Sequence, residues 1–204
     1  MLSSASADPA LYSIGYATKP LDAFLRQLRE LRVTAIADVR SVPYSKIFHD
    51  YHREAVAASL RGAGIHYVYL GEELGPRSTD PDHYDTDGQV QFERLQRAPL
   101  FESGIQRLRN GLDKGQRIAM LCAEKDPAVC HRSLLIGHYL LEREGIDTAH
   151  VHHDGAIEPE SALQERLMTV NGIAPDMLTP HCECLTLAWR AQNRRCAYRK
   201  PREA

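Results

Sequence analysis

The sequence predicts an α/β domain: a mainly parallel sheet of about five strands with helices on both faces, plus a helical C-terminal extension. Three observations lead there. Between residues 11 and 152, short apolar or β-branched runs alternate with amphipathic helical stripes, the pattern of strands joined by helical crossovers. The residues with the greatest chemical reach cluster where those runs end, and ligands of such sheets bind outside the carboxyl ends of the strands. Beyond residue 160 the pattern stays helical, interrupted only near Pro175 to Pro180.

Taken in order, residues 1–10 are small and polar and read as a disordered N-terminus. Leu11 to Tyr16 is a short strand ending at Gly15. Leu21, Phe24, Leu25, Leu28 and Leu31 form a helical stripe. Val33 to Val39 is the second strand and runs into Arg40-Ser41-Val42-Pro43, where Pro43 keeps the preceding residue out of helix. Arg53 to Arg61 reads as a helix stopped by Gly62 and Gly64, and Ile65 to Leu70 as the third strand. Residues 76–90 are polar and read as an irregular insertion, a flexible flap over the site. Phe101, Ile105, Leu108 and Leu112 mark a further helix, and Arg117 to Cys122 the fourth strand. A helix from about Cys130 to Arg143, stopped by Gly145, precedes a fifth strand at Thr148 to His152. Gly155 to Glu160 reads as a linker. The expected organisation is therefore an α/β domain over 11–155 and a helical, basic extension over 156–204. Because every strand precedes it, removal of 176–204 is expected to leave the domain folded.

The chain has 204 residues, a net charge of -2 and 43% hydrophobic residues, enough to bury a core. That balance does not point to a dedicated nucleic-acid or membrane-surface protein. The last sixteen residues are strongly basic, and with Trp189 and Tyr198 they suggest an alternative to an enzyme: a non-catalytic module that binds nucleic acid or a protein partner through this tail, with nucleic-acid contact through residues 189–202. The favoured alternative is a solvated helix face that docks on the domain by Leu185, Leu187 and Trp189. Five cysteines do not resemble a secreted disulfide framework. Met1 to Ala10 has neither the basic nor the apolar region of a secretory signal, and no apolar run reaches membrane-span length. The expected compartment is the cytoplasm, with no membrane partner. Oligomeric state is not legible.

The chain is organised around Met120 to Ser133. This stretch passes from strand through loop to helix and gathers Cys122, Glu124, Cys130, His131 and Arg132. With Ser13-Ile14-Gly15-Tyr16, Asp38 to Lys46, Gly64-Ile65-His66-Tyr67, Leu74-Gly75 and Cys122-Ala123-Glu124 through Cys130-His131-Arg132, the chain resembles the bacterial family called domain of unknown function 488. The resemblance implies an α/β domain and carries no established activity or catalytic residues.

The residues themselves suggest an anion site. Arg40 and Arg132, at the sheet's carboxyl edge with Ser41, Gly15, Tyr16 and Cys122, could grip a phosphate- or nucleotide-like small molecule through bidentate hydrogen bonds. Phosphate should then raise the melting temperature, and Arg40→Lys or Arg132→Lys should weaken that effect. Cys130, at a helix start beside Arg132, is the candidate nucleophile. Glu124, Asp38 and His131 are candidates for acid and base. The alternative for each is structural: arginines consumed by Asp38 or Glu124, and buried inert thiols. Phosphatase, P-loop and dinucleotide-binding spacings are absent, so no cofactor is expected. Two metal readings are weaker. Cys122, Cys130 and His131 with His150 or His152 have suitable ligand types, but their spacing is wider than a zinc knuckle's. His181, Cys182 and Cys184 with Cys196 are spaced too tightly. Neither metal is expected at stoichiometric level.

Overall fold

The computed structural model describes residues 9–201, so most of the segment 1–10 and Arg202 lie outside the described residues. Five strands run parallel: β1 (Leu11–Gly15), β2 (Ala35–Asp38), β3 (His66–Tyr69), β4 (Ile118–Cys122) and β5 (Ala149–Val151). The stretch read as a linker contains a sixth strand, β6 (Ile157–Pro159), antiparallel to β5. The order is β3-β2-β4-β1-β5-β6. Every residue of β1, β2 and β4 is buried, whereas edge strand β3 is half exposed. Strands covered on both faces read as unbroken apolar runs.

Side chains alternate between two cores. Tyr12, Ile14, Ile36, Ala119 and Leu121 meet α1 (Leu21–Glu30) and α2 (Arg53–Gly62) on one face. Leu11, Ala35, Ala37, Ile118 and Met120 face the other side. There they meet α3 (Gly71–Leu74), α4 (Phe92–Leu95), α5 (Pro99–Asp113) and α6 (His138–Glu144). The stripe expected on α1 buries Phe24 and Leu28 completely, worth about 1.5–3 kcal/mol each.

One expectation is corrected here, that of a free flap, and another, the docked tail, is made specific. The C-terminal segment is a structural part of the second core. Leu163, Leu167 and Met168 of α7 (Glu160–Val170) and Cys184, Ala188 and Trp189 of α8 (His181–Cys196) all belong to it. Trp189 donates to Leu134 O at 2.8 Å and stacks on His138, so it is not available to stack on a nucleobase. The segment 76–90 is tied down, not free. Val90 N–H donates to Tyr198 O, Lys200 N–H donates to Gly88 O, and Tyr84 and Val90 are buried.

The helix expected from Cys130 begins with a π-helical turn, Arg132–Gly137, before α6. Side chains from other elements take carbonyls of this widened turn: Trp189 reaches Leu134 O, and Gln96 Nε2 donates to Leu135 O at 2.9 Å. Gly137 is needed for space, since a Cβ there would lie 2.5 Å from Glu160 Oε2.

That carboxyl ends a buried chain of three polar groups. Ser13 and His150 are register partners on β1 and β5. Ser13 Oγ lies 2.6 Å from His150 Nδ1, and His150 Nε2 lies 2.7 Å from Glu160 Oε2. Burial, aided by the charge of Arg132, pushes His150 down to about 3. Burial also holds Glu160 well above the carboxylate range. Both shifts favour the neutral pair, in which Glu160 donates to His150 Nε2 and His150 Nδ1–H donates to Ser13. The signs of the two linkages oppose. A raised carboxyl stabilises fully below its unfolded pKa and loses that contribution as pH rises toward its folded pKa. A depressed histidine loses its contribution as pH falls from 6.5 toward about 3. Above pH 6.5 the His150 contribution no longer changes, and the slope that remains is that of Glu160. Glu160→Gln should therefore decline less steeply above that pH than wild type. Urea midpoints measured across the range check this, and equal slopes would refute the neutral pair.

Candidate functional site

The strand order brings the carboxyl ends of β2, β4 and β1 side by side. Between them opens a cleft of about 380 Å³, within the usual size of small-molecule sites. Cys122, Glu124 and His131 form its floor; Tyr16, Arg40, Ser41, Tyr44, Arg77 and Tyr198 line its sides. A larger groove of about 570 Å³ lies elsewhere, among Gln96, His138, Trp189 and Arg190. It holds none of the thiol or strand-end groups.

The floor comes from one stretch of chain. Cys122 ends β4, Glu124 sits on the exposed turn, and Cys130 and His131 lead into the π turn. Both thiols donate to Glu124 Oε2, Cys122 at 2.8 Å and Cys130 at 3.0 Å. His131 Nδ1 lies 3.5 Å from Cys122 Sγ and 3.9 Å from Cys130 Sγ. His131 Nε2–H donates to Val39 O at 2.8 Å, which fixes the ring. Burial raises the Glu124 carboxyl, but the His131 charge and the two thiol hydrogen bonds outweigh it and hold it below its ordinary value. Burial lowers His131, and its thiol, carboxylate and carbonyl neighbours outweigh that, so it is raised.

Cys130 does not have the lowered pKa expected of it. Burial first, then the adjacent Cys122 and Glu124, push its thiol well above the ordinary range, and the opposing Arg132 charge is the smaller effect. Cys130 is 1% exposed and sits behind the floor; Cys122 is the thiol that reaches the cleft.

The two arginines do not face one cleft. Arg132 is 0% exposed and points its guanidinium at backbone, with Nη1–H donating to Glu124 O at 2.6 Å and Nη2–H to Lys125 O at 3.2 Å. It has no carboxylate partner among the described residues, and its buried Nε has no acceptor. Burial and the charge of Arg132 push neighbouring Lys19 down to about 8. Arg40 does reach the cleft, but Asp38 grips it twice, Nε to Oδ1 at 2.8 Å and Nη2 to Oδ2 at 2.6 Å. Its Nη1–H donates to Tyr51 O. Tyr67 Oη–H occupies Asp38 Oδ2 as well, at 2.7 Å. Asp38 is fully buried and does not line the cleft, so its carboxylate positions Arg40 and is not placed to act as a base.

Gly15 permits this layout: a Cβ there would fall 1.8 Å from Glu124 O. Tyr16 stacks on Tyr51 at 4.3 Å beneath Arg40, and Ser41 Oγ accepts the Arg77 N–H at 3.1 Å. Arg77 and Tyr198 were not legible as site residues. The Arg77 guanidinium lies over the Tyr198 ring, 4.8 Å from its centroid. The only local signal for Arg77 was its place after Gly75-Pro76, near the end of β3. Tyr198 arrives through the pairing of 88–90 with 198–200, which no local pattern encodes.

Of the first metal grouping read from sequence, Cys122, Cys130 and His131 come together but His150 and His152 do not join them, and the second grouping does not form. His150 is held between Ser13 and Glu160, and His152 pairs with Glu158 at 2.9 Å. Cys184 and Cys196 lie near opposite ends of α8, about 18 Å apart at helical rise. Among the described residues one group of metal-ligating side chains converges, Cys122, Glu124, Cys130 and His131, with donor atoms within 4.8 Å of one another. No helix among the described residues is long and apolar enough to cross a membrane.

No curated protein matches the chain. The profile of one family does, over the helices and strands that carry both the Asp38–Arg40 clasp and the thiol floor, leaving Ser13–Tyr16 and His150–His152 outside it. With residues 20–139 matched, more than half of its length, the chain belongs to the family Domain of unknown function DUF488.

Proposed function

We propose that the protein is a cytoplasmic enzyme that binds a planar, anionic small molecule of phosphate- or nucleotide-like type in the carboxyl-edge cleft. The observation that supports this reading is the cleft's division of labour. Tyrosine rings line its sides, Arg77 stands at its mouth with no acidic partner among the described residues, and a thiol, a carboxylate and an imidazole share its floor. Aromatic walls take a planar group, a guanidinium takes its anion, and the floor offers acid–base or nucleophilic groups. Arg77 takes the anchoring role first assigned to Arg132, with Arg40 held behind it by Asp38. Cys122, Glu124 and His131 are the groups placed to touch a bound molecule.

Adenosine monophosphate and inorganic phosphate serve as probes. Both should raise the melting temperature over chloride at equal ionic strength, the nucleotide more, because binding to the folded state stabilises by mass action. Arg77→Ala should weaken nucleotide binding at least about tenfold, the cost of one charge-assisted hydrogen bond. Arg132→Lys should change the fold's stability and leave this affinity nearly unaltered. Equal stabilisation of wild type and Arg77→Ala, or none of either, would remove the anion reading.

A further inference from the structure

We infer that Cys122 Sγ, Cys130 Sγ and His131 Nδ1, with Glu124 at the fourth position, form a binding site for a divalent cation of zinc's class. The donor set is two thiols, an imidazole and a carboxylate, the ligand types zinc takes in tetrahedral sites. At metal–sulfur and metal–nitrogen distances of about 2.3 and 2.0–2.1 Å, tetrahedral donors stand roughly 3.5 Å apart. Here the two sulfur–nitrogen distances are 3.5 and 3.9 Å, and the two sulfur–oxygen distances are 2.8 and 3.0 Å. Only the carboxylate has to back away, and it sits on the exposed turn.

Three further observations support an ion over a set of ordinary hydrogen bonds. His131 donates its Nε2–H to Val39 O at 2.8 Å. This is the outer contact that orients a ligating imidazole and leaves its other nitrogen free. The two thiols and the imidazole ride on the end of β4 and the start of the π turn, so no loop has to order on binding. Charge also balances. Two thiolates, a carboxylate and a dication sum to one negative charge beside Arg132, a buried cation with no carboxylate partner among the described residues. An uncompensated buried charge is costly, and a thiolate centre supplies its counterpart. Binding releases the two thiol protons to solvent.

The fourth position lies on the cleft floor and on the exposed turn. Cys130 holds the ion from behind, while Glu124 lines the cleft and can yield to water or to an oxygen of a bound molecule. Three fixed protein ligands and one exchangeable position is the arrangement of a catalytic zinc. Metal binding itself does not rest on the proposed activity; only this use of the ion does.

The test uses the full-length chain, purified under reductant without chelator and then titrated as apoprotein with cobalt(II) and zinc(II). Elemental analysis should find one equivalent of zinc. Cobalt should give a thiolate charge-transfer band with the strong visible bands of a tetrahedral centre. Cys122→Ser and Cys130→Ser should each lose more than about 100-fold in affinity, beyond what an outer-shell change costs. Glu124→Gln, which keeps the two thiols and the imidazole, should still bind cobalt with a shifted visible spectrum. Cys182→Ser, at the exposed thiol of α8, should match wild type. If the core cysteine variants do not fold, the wild-type and Glu124→Gln spectra decide alone. Folded, fully reduced wild type that shows no charge-transfer band on cobalt titration overturns the site. So does a Cys122–Cys130 disulfide whose reduced form takes up no metal. Failure of nucleotide binding with the cobalt spectrum intact would sink the anion reading only.

Discussion

Deleting residues 176–204 should abolish cooperative unfolding. The deletion removes α8, and with it Cys184, Ala188 and Trp189 from the larger core. It also removes the Trp189 donor to Leu134 O and the Gln192 Nε2 donor to Ala128 O, at 2.8 and 2.7 Å. Those two carbonyls flank the start of the π turn, so the loss reaches the floor of the cleft. The single substitution Trp189→Ala should cost about 3–5 kcal/mol, the usual range for a buried tryptophan. Domains of this size are stable by about 5–15 kcal/mol in all, so losing the whole helix exhausts the margin. Thermal unfolding followed by near-ultraviolet circular dichroism measures both. A truncated chain that melts as sharply as the full one would show that α8 is an accessory. The sequence suggested that outcome because every strand precedes the tail, but α8 buries Cys184, Ala188, Trp189 and Gln192.

Gly15→Ala should destabilise by about 3 kcal/mol or more through overpacking and broken hydrogen bonds. The new Cβ would lie 1.8 Å from Glu124 O and 2.6 Å from Arg132 Nη1. A flexible side-chain tip could move aside, but a backbone carbonyl cannot without carrying the turn with it. The bonds at risk are Arg132 to Glu124 O at 2.6 Å and Ala17 N–H to Ala123 O at 2.9 Å. The variant should therefore lose cobalt affinity as well as stability, although it alters no proposed ligand. Gly62→Ala is the control: nothing lies within 4 Å of its Cβ at the end of α2. It should be neutral or stabilising by up to about 1 kcal/mol. Urea midpoints compare the two. Similar small effects at both glycines would mean that the Glu124 turn is loosely held.

Periodicity is a local property, and what depends on it was legible. The stripe from Leu21 to Leu31, the buried runs of β1 and β4, and the gathering of reactive groups at strand ends could all be read along the chain. So could the residues of the thiol floor, because Cys122 to His131 is one continuous stretch whose ends are a strand and a helix start. Adjacency and direction were not legible. β6 is three residues long and pairs through backbone at the edge of β5, so its side chains advertise nothing. Placing β4 between β2 and β1 decides which strand ends share a cleft, and that follows from how two apolar faces are covered at once. Arg40 and Arg132 carry the same charge in sequence. One is gripped by Asp38 at a cleft wall, while the other is buried against two carbonyls, and only long-range packing separates them. The same packing sets the Cys130 thiol: its neighbours in sequence favoured a thiolate, but complete burial between β4 and the π turn removes the solvent that a free thiolate requires.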